Sequence, residues 1–412
     1  MKNYSFLLKL LIPVCLYSCS NGQSNDAVLS QLSAQWKDDL NYLAIQLPKL
    51  HKNAFHTISK EAFQQQAKIF STKIDSLNDD QIIVELMRLL ALIGDGHTHL
   101  DLPPTLKRYP LEFAQFDNEY RVIVTNEENA DILGLRLIAI EHVPINTIHK
   151  RLTELVPRGE NIERTLFTSL QFLGSPEILY GLAIIKNKNE VLFTFLNDQN
   201  KAVEKKIQPV SVRSGNFKML PKENIPLMLQ NFQQAWWTTF LPEKKAIYFA
   251  MNAYPNRSAF ERRTEELSKL IDSTKAEKLI IDFRRNSGGD LDLFRSFLLP
   301  MLKSKFNLNN KASVYVITGP ATFSASMVNT LDLKNELNAI QVGLPTGARP
   351  NSYSEHGDFS LPNSHLRISY SREYYKFANE ADTAVVPEKI IKQSWTEFIN
   401  SKDPCLDWIL QN

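Results

Sequence analysis

The chain has 412 residues, 43% of them hydrophobic, and a formal net charge of +2. That length fits about two to three domains with ordinary packed cores. The near-neutral charge gives no electrostatic case for a nucleic-acid partner, and 14 glycines without an internal repeat exclude a solenoid or low-complexity protein.

At the N-terminus Lys2 and Lys9 flank an apolar stretch, Leu10 to Leu16, that contains Pro13. It is too short to span a bilayer and reads as an export signal over residues 1–18. The stretch ends Leu16-Tyr17-Ser18-Cys19, which resembles a bacterial lipobox, and polar residues 19–30 follow as a tether. A plain secretory signal cut nearby is the alternative. The motif implies lipidation of Cys19 and a membrane partner through that anchor. It implies the bacterial cell envelope, and with no Asp after Cys19 the expected site is the outer membrane. Of three cysteines, Cys15 lies inside the signal and Cys19 would carry lipid. Cys405 is left without a disulfide partner and is expected to be inert packing.

Residues 31 to about 94 have helical periodicity, with Leu86, Leu89, Leu90 and Ile93 on one face. Gly94-Asp95-Gly96-His97-Thr98-His99 breaks that pattern, and Pro103-Pro104 closes a helical cap over 31–105. From 106 to 230 strand patterns dominate: Tyr120 to Val124, Leu137 to Ile140 and Val191 to Phe195, with helix-like Ile145 to Leu155 between. From 235 to 412 strands and helices alternate. Ala246 to Ala250 precedes a helix from Phe260 to Ser273, and Lys278 to Phe283 precedes a helix from Leu291 to Lys303. Ser313 to Ile317 leads through a turn into a helix from Ser324 to Leu337. The wholly apolar strand Leu279-Ile280-Ile281 suits a parallel sheet covered on both faces, so the fold class is α/β.

Two loops carry the chemistry. Thr318 to Met327 runs from a buried strand to a helix start, placing the Ser324 hydroxyl beside first-turn amides, that of Ala325 in particular. An oxyanion would be stabilised there. A serine that only caps its helix would read the same way. Asp282-Phe283-Arg284-Arg285-Asn286-Ser287-Gly288-Gly289 is the second loop, also at a strand's carboxyl end, where ligands of parallel sheets bind. Its glycines permit close backbone approach, and a simple tight turn is the alternative. No Gly-Lys-Ser/Thr follows, so a phosphate loop is excluded.

These segments, taken in order, resemble the C-terminal processing (tail-specific) protease and tricorn-core family of serine peptidases. Asp95-Gly96-His97-Thr98 is similar to the family's histidine segment, and Leu279 to Gly289 to its strand and Gly-Gly loop. Thr322 to Ser326 is similar to its nucleophile turn, Gly343-Leu344-Pro345-Thr346-Gly347 to its Gly-Glu-x-Thr-Gly segment, and Val386-Pro387-Glu388 weakly to its closing motif. Gly134 to Ile145 resembles part of a PDZ-like module, with His142 in place of a glycine. The resemblance implies a ClpP/crotonase-like peptidase core over 235–412, the helical cap, and a PDZ-like β domain over 106–230. PDZ-like modules capture peptides at a sheet edge.

The resemblance further implies hydrolysis of a peptide or protein substrate through an acyl-enzyme on Ser324, with no cofactor. Where processing proteases place a lysine base, this chain has Arg349, which stays protonated and cannot act as a base. No lysine lies between Lys334 and Lys376. The histidine-using, tricorn-like branch fits better, with His97 as general base. Met327 stands where processing proteases carry a glutamate, a further departure from that branch. Gly96 stands where that branch has a relay serine. The orienting acid is expected at Asp382, with Glu355 second, and the oxyanion donors at Ala325 and Gly288. His99 reads as a structural hydrogen-bonder, since no pattern supports a metal site. The alternatives are an inactive envelope protein of the same fold that binds ligand or peptide, and an esterase or acyltransferase using Ser324.

Overall fold

The computed structural model describes residues 32–157, 160–211, 217–306, 313–379 and 382–412. The expected export signal and Cys19 lie outside the described residues. The chain divides into two compact units. One comprises residues up to 160, 165–220 and 353–374; the other comprises 161–164, 221–352 and 375–412. The segments read from sequence as helical cap and β region therefore share the first unit.

In the first unit the helical periodicity resolves into Ser33–Leu50, Lys60–Lys73 and Asp79–Ala91. Ser59 and Asn78 cap the second and third by accepting from backbone N–H groups, which explains where those helices start. Their buried faces join one core with an antiparallel sheet. That sheet runs in the order Phe217–Met219, Glu119–Asn126, Arg136–Ile140, Val191–Leu196, Ala202–Ile207, and Glu112–Phe116 also pairs with Glu119–Asn126. All three expected strands are present in it. Its core includes a buried polar chain in which Tyr120 Oη and Ser169 Oγ lie 2.7 and 2.6 Å from the two ring nitrogens of His149. Burial pushes the His149 pKa below its ordinary value. A smaller sheet brings His99–Asp101 antiparallel to the strand from Arg367, with His99 opposite Ser369.

The second unit is an α/β layer. Its six-stranded sheet has the order Trp236–Leu241, Ala246–Met251, Lys278–Asp282, Val314–Thr318, Ile340–Gly343, Lys389–Ile390. The first pair is antiparallel and the others are parallel. Alternate residues face two separate cores. Ile247, Phe249, Leu279, Ile281 and Val316 pack under the helix Arg257–Thr274, while Tyr248, Ile280, Tyr315 and Ile317 pack against the C-terminal helix Pro404–Gln411. Burial on both faces explains the unbroken apolar runs. A buried ionic cluster ties that last helix down: Arg284 donates to both Asp282 and Asp403, and Tyr248 Oη donates to Asp282 at 2.6 Å. Asp403 in turn caps the helix through the N–H groups of Cys405 and Leu406. Cys405 is buried beneath it, and burial pushes its thiol pKa up to about 12, which makes it inert.

Candidate active site

Ser324 ends a turn that leaves the strand Val314–Thr318 and opens the helix Ala325–Leu337. Its backbone sits at φ +54°, ψ −127°, and its side chain makes no capping hydrogen bond to the helix. Capping therefore does not account for this serine. A non-glycine residue held at positive φ costs about 1–3 kcal/mol and persists only where its surroundings enforce it. A sharp strand-to-helix turn of this kind projects a hydroxyl away from the sheet.

The enforcing contacts come from the neighbouring loop. Thr322 Oγ donates to Phe283 O at 2.9 Å, Phe323 N–H to Asn286 O at 3.1 Å, and Ser326 Oγ to Asn286 O at 2.7 Å. Asn286, fully buried, anchors itself by donating from Nδ2 to Met251 O at 2.8 Å. Gly288 at φ +100° lies directly against the serine: a Cβ there would stand 2.7 Å from Ser324 Cβ and 3.1 Å from Ala325 N. As the first helical residue, Ala325 has an N–H without an intrahelical acceptor. The Gly288 N–H donates to Asn286 Oδ1 at 2.8 Å, so in this structure it is committed to its own loop. Gly288 contributes close approach here; its expected role as a donor would require that bond to open.

The flanking segments buttress the turn. Gly347 N–H donates to Thr322 O at 2.9 Å, and Thr346 exchanges hydrogen bonds with Val385 through both its N–H and its Oγ. The Arg164 guanidinium stacks on the Phe323 ring at 4.2 Å, and Asn161 Nδ2 donates to Thr346 O at 2.7 Å. Met327 joins an apolar cluster with Phe323, Val328, Ala348 and Val385. Asp382 is exposed, its N–H donating to Asn379 O at 3.2 Å, and Arg349 is half-buried.

In the first unit His97 is half-buried on the loop after the third helix. Its N–H donates to Asp95 Oδ1 at 3.1 Å, and the N–H of Gly96 donates to the buried Glu160 carboxylate at 2.8 Å. Asp95, 2% exposed, also accepts from Ser371 Oγ at 2.7 Å and lies 2.8 Å from His51 Nε2. His51 Nδ1 accepts from the Asn53 N–H, so the His51 proton sits on Nε2 and is given to Asp95. Burial alone would raise the Asp95 pKa, but the His51 and Ser371 hydrogen bonds and the charge of His97 outweigh it and hold it below the usual range.

The His97 ring meets Ser354, whose Oγ lies 3.4 Å from Nε2. Glu355, next in the strand, is exposed, sits at φ +61° and lies 4.0 Å from Arg372. His99 pairs with Asp101 at 3.0 Å, the structural role read from the sequence. Among the described residues no group of three or more His, Cys, Asp or Glu could hold a metal ion. Sequence reading missed His51, Glu160, Ser354 and Ser371. Each reaches the histidine segment from a distant part of the chain, and no local motif marks any of them.

No protein-family model and no curated protein matches this chain. Solved structures do. CPAF in its mature form complexed with lactacystin aligns over 93% of this chain and 98% of its own, at TM-score 0.65 and 10% identity. Mature CPAF alone aligns over 92% and 96%, at TM-score 0.61 and 11% identity. A photosystem II D1 C-terminal processing protease aligns over 87% and 93%, at 12% identity and a TM-score of 0.40, too distant to bear on the argument. The chain thus has the fold of CPAF over nearly its whole length.

Proposed function

We propose that the chain is a serine peptidase of the tricorn-like type, with a ClpP/crotonase-like core and a PDZ-like peptide-capturing region. The observation that carries this reading is Ser324, held at φ +54° without capping its helix, beside the first-turn amide of Ala325, which has no intrahelical acceptor. In the reaction Ser324 Oγ attacks the scissile carbonyl carbon while His97 takes its proton. The tetrahedral oxyanion is met by the Ala325 N–H and, once freed from Asn286, the Gly288 N–H. The C–N bond then breaks, His97 returns the proton to the departing amine, and water releases the acyl group by the same steps. Arg349 leaves no lysine to compete for the role of base. Asp382 is the first choice for the acid that orients His97, with Glu355 second. A lipid on Cys19 would hold the enzyme at the outer membrane of a bacterial envelope.

The test is covalent labelling with a fluorophosphonate. Wild-type protein should be labelled, and Ser324→Ala should not be, with an unchanged circular-dichroism melt. Equal labelling of the variant excludes Ser324 as the nucleophile.

A further inference from the structure

The main chain on either side of the proposed base is pinned by two carboxylates, Glu160 on the Gly96 N–H and Asp95 on the His97 N–H. These bonds set where the residue sits but leave rotation of its ring open. The residue before His97 is a glycine and offers no side chain to the ring. Within the same unit a hydroxyl reaches the ring from more than two hundred and fifty residues away: Ser354 Oγ lies 3.4 Å from Nε2. Ser354 belongs to the strand Asn351–Ser360, in a sheet with the strand His99–Asp101 that follows the base. The next residue, Glu355, takes φ +61° and interrupts the regular strand there.

Resting on the peptidase reading, we infer that Ser354 is a positioning residue that holds the His97 ring in its working rotamer. The ring nitrogen that is oriented keeps its proton while the other takes and returns that of the attacking serine, so Ser354 Oγ accepts from it in both halves of the cycle. Asp95 and Glu160 hold the main chain there, and Glu355 lies 4.0 Å from Arg372. Ser354 offers the ring the hydroxyl that Gly96 cannot.

The experiment uses the full chain and two readouts. In steady-state hydrolysis of a fluorogenic peptide, Ser354→Ala should lower kcat roughly 10-fold with KM within about twofold, as loss of orientation predicts. Ser354→Thr, which keeps the hydroxyl, should recover most of kcat. In the second readout, ¹⁵N-histidine spectra assigned with His97→Gln should show the His97 Nε2 signal displaced in Ser354→Ala and the His51 signals unmoved. An unchanged kcat in Ser354→Ala, or failure of Ser354→Thr to recover it, overturns the positioning role. An unchanged Nε2 signal overturns it whether or not the enzyme is active. Wild-type protein without hydrolytic activity defeats the peptidase reading instead, and the spectra then decide the contact alone.

Discussion

The Ser324 turn and the histidine segment solve the same problem by opposite means. Ser324 is placed by its backbone: a strained φ, a glycine pressed against its Cβ, and main-chain hydrogen bonds to the Asn286 loop. His97 is placed by side chains: Asp95, Glu160 and Ser354, with His51 and Ser371 behind Asp95. His97 itself is not among the positive-φ residues. A turn built from main chain leaves a local signature in sequence, whereas a frame built from distant side chains leaves almost none. The two should also fail differently when mutated.

The largest effect is expected at the backbone-built half. Gly288→Ala forces a Cβ to within 2.7 Å of Ser324 Cβ at a φ of +100°. It should lower kcat/KM by roughly 100-fold or more and cost about 1–3 kcal/mol in urea unfolding. Near-normal turnover in that variant would break the contrast. The side-chain frame should yield more gradually. Asp95→Asn turns an amide N–H toward the His51 Nε2–H, or else gives up one of its other two donors. Stability should fall by about 2–3 kcal/mol, with kcat down roughly 10-fold and fluorophosphonate labelling of Ser324 slowed but not lost.

Acidification gives the smallest effect and acts on the first unit. His149 is kept neutral by burial, so its contribution is complete above its ordinary pKa of about 6.5 and is lost as pH falls below it. Burial would raise the Asp101 pKa, but His99, Arg367 and Ser369 pull it down to about 2. Its contribution is therefore present above about pH 4 and is lost as pH falls toward about 2. Urea titrations should show stability declining below about pH 6.5, at no more than about 1.4 kcal/mol per pH unit from His149. His149→Gln should flatten that slope. An unaltered slope would show that the His149 chain is not what acid attacks.

The contrast also explains what could be read from sequence. The helix expected from Ser324 to Leu337 runs Ala325–Leu337, because the strand, the turn and the helix start are contiguous and each has local chemistry. The parallel strands were legible because burial on both faces makes them uniformly apolar. The helix Ile162–Leu170 and the long strands Asn351–Ser360 and Arg367–Lys376 were not read, and it is the latter pair that carries Ser354 and Ser371. Their alternation is weak, since Asn351–Ser360 has no fully buried residue. The capping alternative for Ser324 is dismissed by the hydrogen bond its side chain does not make to the helix, which no residue pattern encodes.

The Arg284 cluster has a consequence for the molecule's tail. Asp403 starts the last helix while sharing a guanidinium with Asp282, two positions upstream of Arg284 and four before Asn286. Main-chain geometry at the Gly-Gly loop is thus mechanically continuous with the final ten residues. Trimming that helix, or fusing a bulky tag so that it detaches, is equivalent to loosening the floor on which Ser324 stands.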